Sequence, residues 1–119
     1  MTVYFGFALA DSMFDGDVQI ARRVLSVDDV REIIAQGVEP CLNPSHVATI
    51  SAMNSRFGLN VEIPAAPPKV ALAAQDSVVV MGVRGLPRLT DRHEYTADEI
   101  ANATFSFAIY TVLWTASVL

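Results

Sequence analysis

The period of the apolar positions changes along the chain, and each change marks an element. Thr2 to Ala10 is almost continuously apolar and rich in β-branched and aromatic residues, which predicts a central strand covered on both faces. Asp15-Gly16-Asp17 signals a turn. Val18 to Val24 then alternates Val18, Ile20 and Arg22 against Gln19, Ala21 and Arg23, the pattern of a second strand at a sheet edge. Ser26 stands three residues before Asp29, close to a capping box, and Val27, Val30, Ile33 and Ile34 follow at helical spacing up to Gly37. That predicts an amphipathic helix near 27–36. After a short apolar piece, Val38 to Leu42, Asn43-Pro44 offers a favoured cap and first helical residue. Val47, Ile50, Met53 and Phe57 extend a second helix over roughly 44–57, with Gly58 placed to end it.

The prolines at 64, 67 and 68 exclude helix interior and central strand, so an extended connector is expected there. Lys69–Ala73 and Ser77–Arg84, separated by Gln75-Asp76, read as two adjacent antiparallel strands. The stretch 84–95 carries Gly85, Pro87 and five charged side chains, and is expected to be the most exposed loop. Thr96 caps a short helix over 97–103, with Asp98 and Glu99 at the positive end of its dipole. The uncharged tail from Ala103 is shorter than the roughly 20 apolar residues of a membrane-spanning helix and suits a buried strand. The sum is an α/β (α+β) domain over 1–119, a mixed sheet of five to six strands with about three helices packed on it. The aromatic tail strand, with Phe105, Phe107, Tyr110 and Trp114, is expected to bury further surface in a homodimer or higher homo-oligomer.

Composition narrows the chemistry. A length of 119 residues leaves no room for a second core, and 52% hydrophobic against 18% charged residues describes a chain that folds. Eight Lys and Arg against thirteen Asp and Glu give a net charge of −5, which argues against duplex nucleic acid as a partner. One cysteine, Cys41, excludes an internal disulfide, and with two histidines it cannot form an ordinary structural zinc site, so neither metal nor cofactor is expected. The N-terminus has no basic stretch ahead of its apolar one and does not resemble a signal peptide; a reducing compartment and no membrane association are expected.

Within these limits a few residues could carry chemistry. His46, at the third position of the expected second helix, would face an anion held by the free N–H groups and positive dipole end of that helix. There it could donate a proton to a leaving oxygen, although an ordinary helix-start histidine has the same signature. Lys69, Arg84, Arg88 and Arg92 are half of all cations, three of them in one loop. They could form a local phosphate pocket, or be a solvated loop whose arginines pair with Asp91 and Glu94. Ala10, Asp11 and Ser12 end the first strand, a usual place for ligand contacts in mixed sheets. No Gly-x-Ser-x-Gly elbow or phosphate-cradling glycine motif is present, so a hydrolytic triad and nucleoside triphosphate hydrolysis are not expected. Cys41 reads as a buried, inert thiol.

The order of these pieces resembles the viral anti-CRISPR ring nucleases, small α/β proteins of archaeal viruses and phages that bind and cleave cyclic tetra-adenylate. The resemblance runs through Ala10-Asp-Ser-Met13-Phe14, the helix 27–36, His46-x-x-Thr49, Phe57-Gly58-Leu59-x-Val61, Lys69-Val-x-Leu72 and Gly85-Leu86-Pro87. It implies that His46 is a general acid, that a ribose 2′-hydroxyl attacks the neighbouring phosphodiester without a metal, and that Ser45 and Thr49 join the residues above at the ligand. It also implies a dimer that receives a two-fold symmetric ring with one His46 per half, in the host cytoplasm. Two departures stand out. Phe7, Leu9, Ala10 and Ser12 occupy the place of the family's Asn-x-Phe-Ser-x-Asn-Met pattern, and Gly85-Leu86-Pro87-Arg88 replaces Arg-Leu-x-Glu, putting a cation where the family has an acid. A sponge that holds a cyclic nucleotide without cutting it, and a structural module contacting a host protein, remain alternatives to the ring nuclease.

Overall fold

Helix boundaries follow the caps. In the computed structural model, which describes residues 1–42, 46–66, 69–90, 92 and 94–116, helix α1 spans Val27–Gln36. The Ser26 Oγ accepts from the Asp29 N–H at 3.1 Å, and the Asp29 carboxylate accepts from the Ser26 N–H at 3.0 Å. This reciprocal pair satisfies two orphan donors and holds the Asp29 carboxyl below its usual range. Gly37, at φ 106°, ends the helix in a conformation that other side chains avoid. Helix α2 spans Val47–Phe57 and stops at Gly58, which is left-handed. Its expected start at 44 lies outside the described residues, and His46 is the cap residue rather than the third helical one. Helix α3, Ala97–Asn102, has the Thr96 cap with Glu99 closing the box.

Five strands form one mixed sheet: β1 Val3–Gly6, β2 Val18–Leu25, β3 Glu39–Pro40, β4 Ser77–Arg84 and β5 Thr104–Thr115, in the order β2-β5-β4-β1-β3. β1 runs parallel to β3 and β4, while β5 is antiparallel to both β4 and β2. The mixed α+β class and edge position of β2 agree with the sequence pattern.

Three expectations need correction. The opening strand stops at Gly6, because residues 7–14 turn away and fold back over the sheet, where Leu9, Met13 and Phe14 pack on Val78 and Val112. Lys69–Ala73 is not a strand: Leu72 N–H bonds to the Met13 carbonyl, and Gln75, at φ 74°, redirects the chain into β4. Conversely, Glu39–Pro40 is a short strand whose two-residue length gives no period to read.

The core lies between the sheet and the helices. Phe5, Val79, Met81 and Phe107 of the sheet meet Val30 of α1 and Ile50 and Met53 of α2, all essentially inaccessible. Each such side chain contributes about 1.5–3 kcal/mol of burial. A smaller cluster on the other face, Leu72, Val78 and Val112, is covered by the 7–14 segment. Asp76 braces that side, its carboxylate accepting from the N–H groups of Thr2 and Ala73 at 2.9 Å each.

Candidate functional site

The parallel strands β1, β3 and β4 end at the same edge of the sheet, and the chain leaves β1 there with Phe7. Ligands of open mixed sheets gather at such carboxyl ends. His46 arrives at this edge as the cap of α2, without a side-chain capping bond, so its imidazole is not spent on the helix. The ring instead stands edge-on to Phe7, centroids 4.9 Å apart at 67°. That contact orients an otherwise exposed imidazole through an aromatic wall. Phe7, His46 and Thr49 share a hollow of about 330 Å3 with Met81, Gly82 and Val83 of β4. The first turn of α2 carries no acidic side chain, which leaves the positive end of its dipole uncompensated.

A second hollow, of about 480 Å3, lies against the other face of the sheet beside the carboxyl end of β1. Ala10, Ser12, Met13, Cys41, Lys69, Val70 and Ala71 line it. The 3-10 turn Asp11–Met13 presents Ser12 to it, and the Ala10 N–H lies 3.5 Å from the Met13 sulfur. Cys41 Sγ donates to the Phe5 carbonyl at 3.3 Å, and burial pushes the thiol upward, away from the thiolate form.

Of the residues singled out in the sequence, the structure brings His46 and Thr49 into one hollow and Ala10, Ser12 and Lys69 into the other. Asp11 is exposed beside Ser12 and lines neither. Arg84 is the last residue of β4, directly after Val83 of the His46 hollow, and Arg88 follows on the exposed loop. Neither cation has a hydrogen-bonded or ionic partner among the described residues. Arg92 does: its two terminal nitrogens donate to the Glu99 carboxylate at 2.7 and 2.8 Å. This bidentate pair, with the Thr96 N–H on the same carboxylate, pulls the Glu99 carboxyl from 4.5 to about 2. Ser45 lies outside the described residues. None of the cations lines the His46 hollow itself.

Sequence reasoning missed the walls. The apolar run 2–10 places Phe7 inside the opening strand and the run 77–84 places Met81 to Val83 inside a strand, so neither carries a local signal of a wall. Cys41, read as buried and inert, is half-buried and lines the second hollow. Among the described residues no three His, Cys, Asp or Glu side chains are grouped to hold a metal ion, and no helix is long and apolar enough to cross a membrane.

No family model matches the chain, and no curated protein matches its sequence. Its fold is that of a solved structure, B116 of Sulfolobus turreted icosahedral virus, with a TM-score of 0.68 at 16% identity over 93% of this chain and 99% of that one.

Proposed function

We propose that the chain is a virus-encoded counter-defence protein of the host cytoplasm that binds a cyclic oligonucleotide messenger and cleaves it, with His46 as general acid and no metal. The observation that carries the reading is His46 itself: an imidazole free of capping duty, held edge-on by Phe7 at the start of a helix whose first turn has no acid. A ligand phosphate at that helix start would meet unpaired N–H groups and the positive dipole end. In the step, the ribose 2′-hydroxyl gives its proton to water as its oxygen bonds to phosphorus, the bond from phosphorus to the 5′-oxygen breaks, and a proton on the His46 ring passes to that departing oxygen. In-line positioning and general-acid help supply the acceleration, the latter worth about 10²–10⁴-fold.

Lys69 and Ser12 in the neighbouring hollow, Arg84 at the end of β4 and Arg88 on the loop are available to further phosphates of a ring. The fold shared with a viral protein supports the viral reading. Arg88, a cation where the resembled family carries an acid, favours a second reading in which the ring is held without being cut.

Incubation with cyclic di-, tri- and tetranucleotides, followed by chromatography and mass spectrometry, separates these readings. Cleavage should give linear products ending in a 2′,3′-cyclic phosphate and a 5′-hydroxyl, and His46→Ala should slow it by about 10²–10⁴-fold while leaving binding in place. Intact ring recovered after heat denaturation would mark sequestration. Unchanged turnover in His46→Ala removes the general acid, and no thermal shift with any of these rings removes the nucleotide reading, since a ligand at about 100 times its Kd stabilises a fold by roughly 2.7 kcal/mol.

A further inference from the structure

We propose that the main chain of β4 at Met81 and Val83 reads the nucleobase of the ligand, accepting a base that sets an exocyclic amino group beside an unprotonated ring nitrogen. The inference rests on the nucleotide reading of the His46 hollow and adds to it the element that selects the base. β1 ends at Gly6, opposite Val80, whereas β4 continues to Arg84. On its other side β4 stays paired with β5 to its last residue, with Arg84 against Thr104. Residues 81–84 therefore have an open edge where β1 gives out. Met81, Gly82 and Val83 border the hollow that also holds Phe7, His46 and Thr49.

The groups on this edge follow from the ladder. The Ser77 N–H donates to the Thr2 carbonyl at 2.9 Å, so Ser77 turns its backbone groups toward β1. Alternation turns those of Val79, Met81 and Val83 the same way, and those of Gly82 and Arg84 toward β5. With Gly6 set against Val80, the Met81 N–H is the last donor that the parallel ladder consumes. Left over, in order along the edge, are the Met81 carbonyl, the Val83 N–H and the Val83 carbonyl. None of the three has a hydrogen-bond partner among the described residues. Main-chain groups beside an apolar hollow call for a partner from outside.

The order acceptor, donor, acceptor selects the occupant. Adenine gives a 6-amino hydrogen to the Met81 carbonyl and offers N1 to the Val83 N–H, while its C2–H faces the Val83 carbonyl without conflict. 2,6-Diaminopurine adds an amino group at that third place. Hypoxanthine and guanine set O6 against a carbonyl and N1–H against an N–H, and uracil does the same with O4 and N3–H. Cytosine matches the first two places and sets its O2 against the Val83 carbonyl. The hollow, about 330 Å3, is at the small end of ligand sites and suits one base. Its apolar walls, Phe7, Met81 and Val83, suit the faces of a flat ring. An extended peptide, the other usual occupant of a strand edge, needs a longer row of outward groups than these three. Reading by the main chain also leaves no mark in the sequence, because every residue type but proline carries the same groups.

Calorimetric titration with cyclic di-, tri- and tetranucleotides that carry adenine, 2,6-diaminopurine, hypoxanthine or uracil tests this, bases being compared within one ring size. Rings built from 2′-deoxynucleotides lack the attacking hydroxyl and stay uncut. The adenine ring should bind at least about tenfold more tightly than the hypoxanthine and uracil rings, since the wrong base leaves the main-chain groups unpaired. The diaminopurine ring should bind about two- to tenfold more tightly than the adenine ring, the usual worth of one more hydrogen bond. Val83→Pro deletes the N–H without entering the β4–β5 ladder, and should shrink the adenine preference by about two- to tenfold. Val83→Ala, which keeps the N–H, should retain it; circular dichroism checks that both variants fold. Equal wild-type affinity for adenine and hypoxanthine rings, a diaminopurine ring that binds more weakly than the adenine ring, or a preference unchanged in folded Val83→Pro would each overturn the proposal. Should Val83→Pro not fold, the wild-type series decides alone. Rings bound without regard to base sink this inference and leave the nucleotide reading standing, whereas no binding of any ring removes both.

Discussion

At the scale of single residues the site edge is built by close approach. Gly6 is where β1 ends, and a Cβ placed there would lie 2.7 Å from the Cys41 Sγ, well inside van der Waals contact. The sulfur is itself pinned, since the Cys41 N–H and Sγ both reach the Phe5 carbonyl, at 2.8 and 3.3 Å. Glycine at position 6 is therefore required by packing and not by its dihedral angle. Gly6→Ala should cost about 1–3 kcal/mol, the usual penalty of overpacking. Most of that loss should vanish in a Gly6→Ala/Cys41→Gly double variant relative to Cys41→Gly alone. Urea unfolding of the four proteins of this cycle measures the coupling, and additive losses would show that the sulfur is not the obstacle.

At the scale of elements, the loop after β4 is tied down through α3. Arg56, at the end of α2, donates to the carbonyls of Ile100 and Ala101 at 2.8 and 2.9 Å, capping α3 from outside. Arg92 then fastens the loop to Glu99. Because folding lowers the Glu99 carboxyl from 4.5 to about 2, its contribution to stability is fully present above about pH 4.5 and is lost as the pH falls toward 2. Thermal melting of wild type and Glu99→Gln across that window should show a gap in Tm at neutral pH that closes near pH 2. A gap independent of pH would assign the effect to the cap geometry instead of the charge. These elements also show where sequence patterns are legible. Ser26 with Asp29 and Thr96 with Glu99 announce their helices because the capping chemistry is local, and the helix 27–36 and strand β2 appear where their periods place them. The 69–73 segment fails as a strand because its alternation, Val70 and Leu72 inward, is equally satisfied by a loop packed on the sheet face. His46 is legible in the sequence as a helix-start histidine, but the Phe7 wall that orients it depends on β1 ending early, a tertiary event with no local signature.

At the scale of the whole molecule, the direction in which a pair of chains would present its sites follows from sheet twist. If the homodimer that the family resemblance implies joins two chains antiparallel along β2, the outer strand of the sheet, the two β1 strands run in opposite directions in a flat sheet. Sheets are not flat: adjacent strands rotate by roughly 20–25°, always with the same hand. From β1 of one chain through β4, β5 and β2 to β1 of the second copy there are seven such steps. The accumulated rotation is then about 140–175°, which nearly cancels the reversal and turns both carboxyl edges, each with its His46, to the same side of a saddle. A cyclic ligand with two-fold symmetry could then engage both chains, so calorimetric titration of a non-cleaved ring should give one ring per two chains. Ile20→Pro lies outside both hollows and removes a backbone donor that points away from β5 at the edge of the sheet, so it should abolish such pairing and bind the same ring much more weakly. One ring per chain, with equal affinity in Ile20→Pro, would mean that each hollow acts alone and that the pairing of strands serves stability rather than recognition.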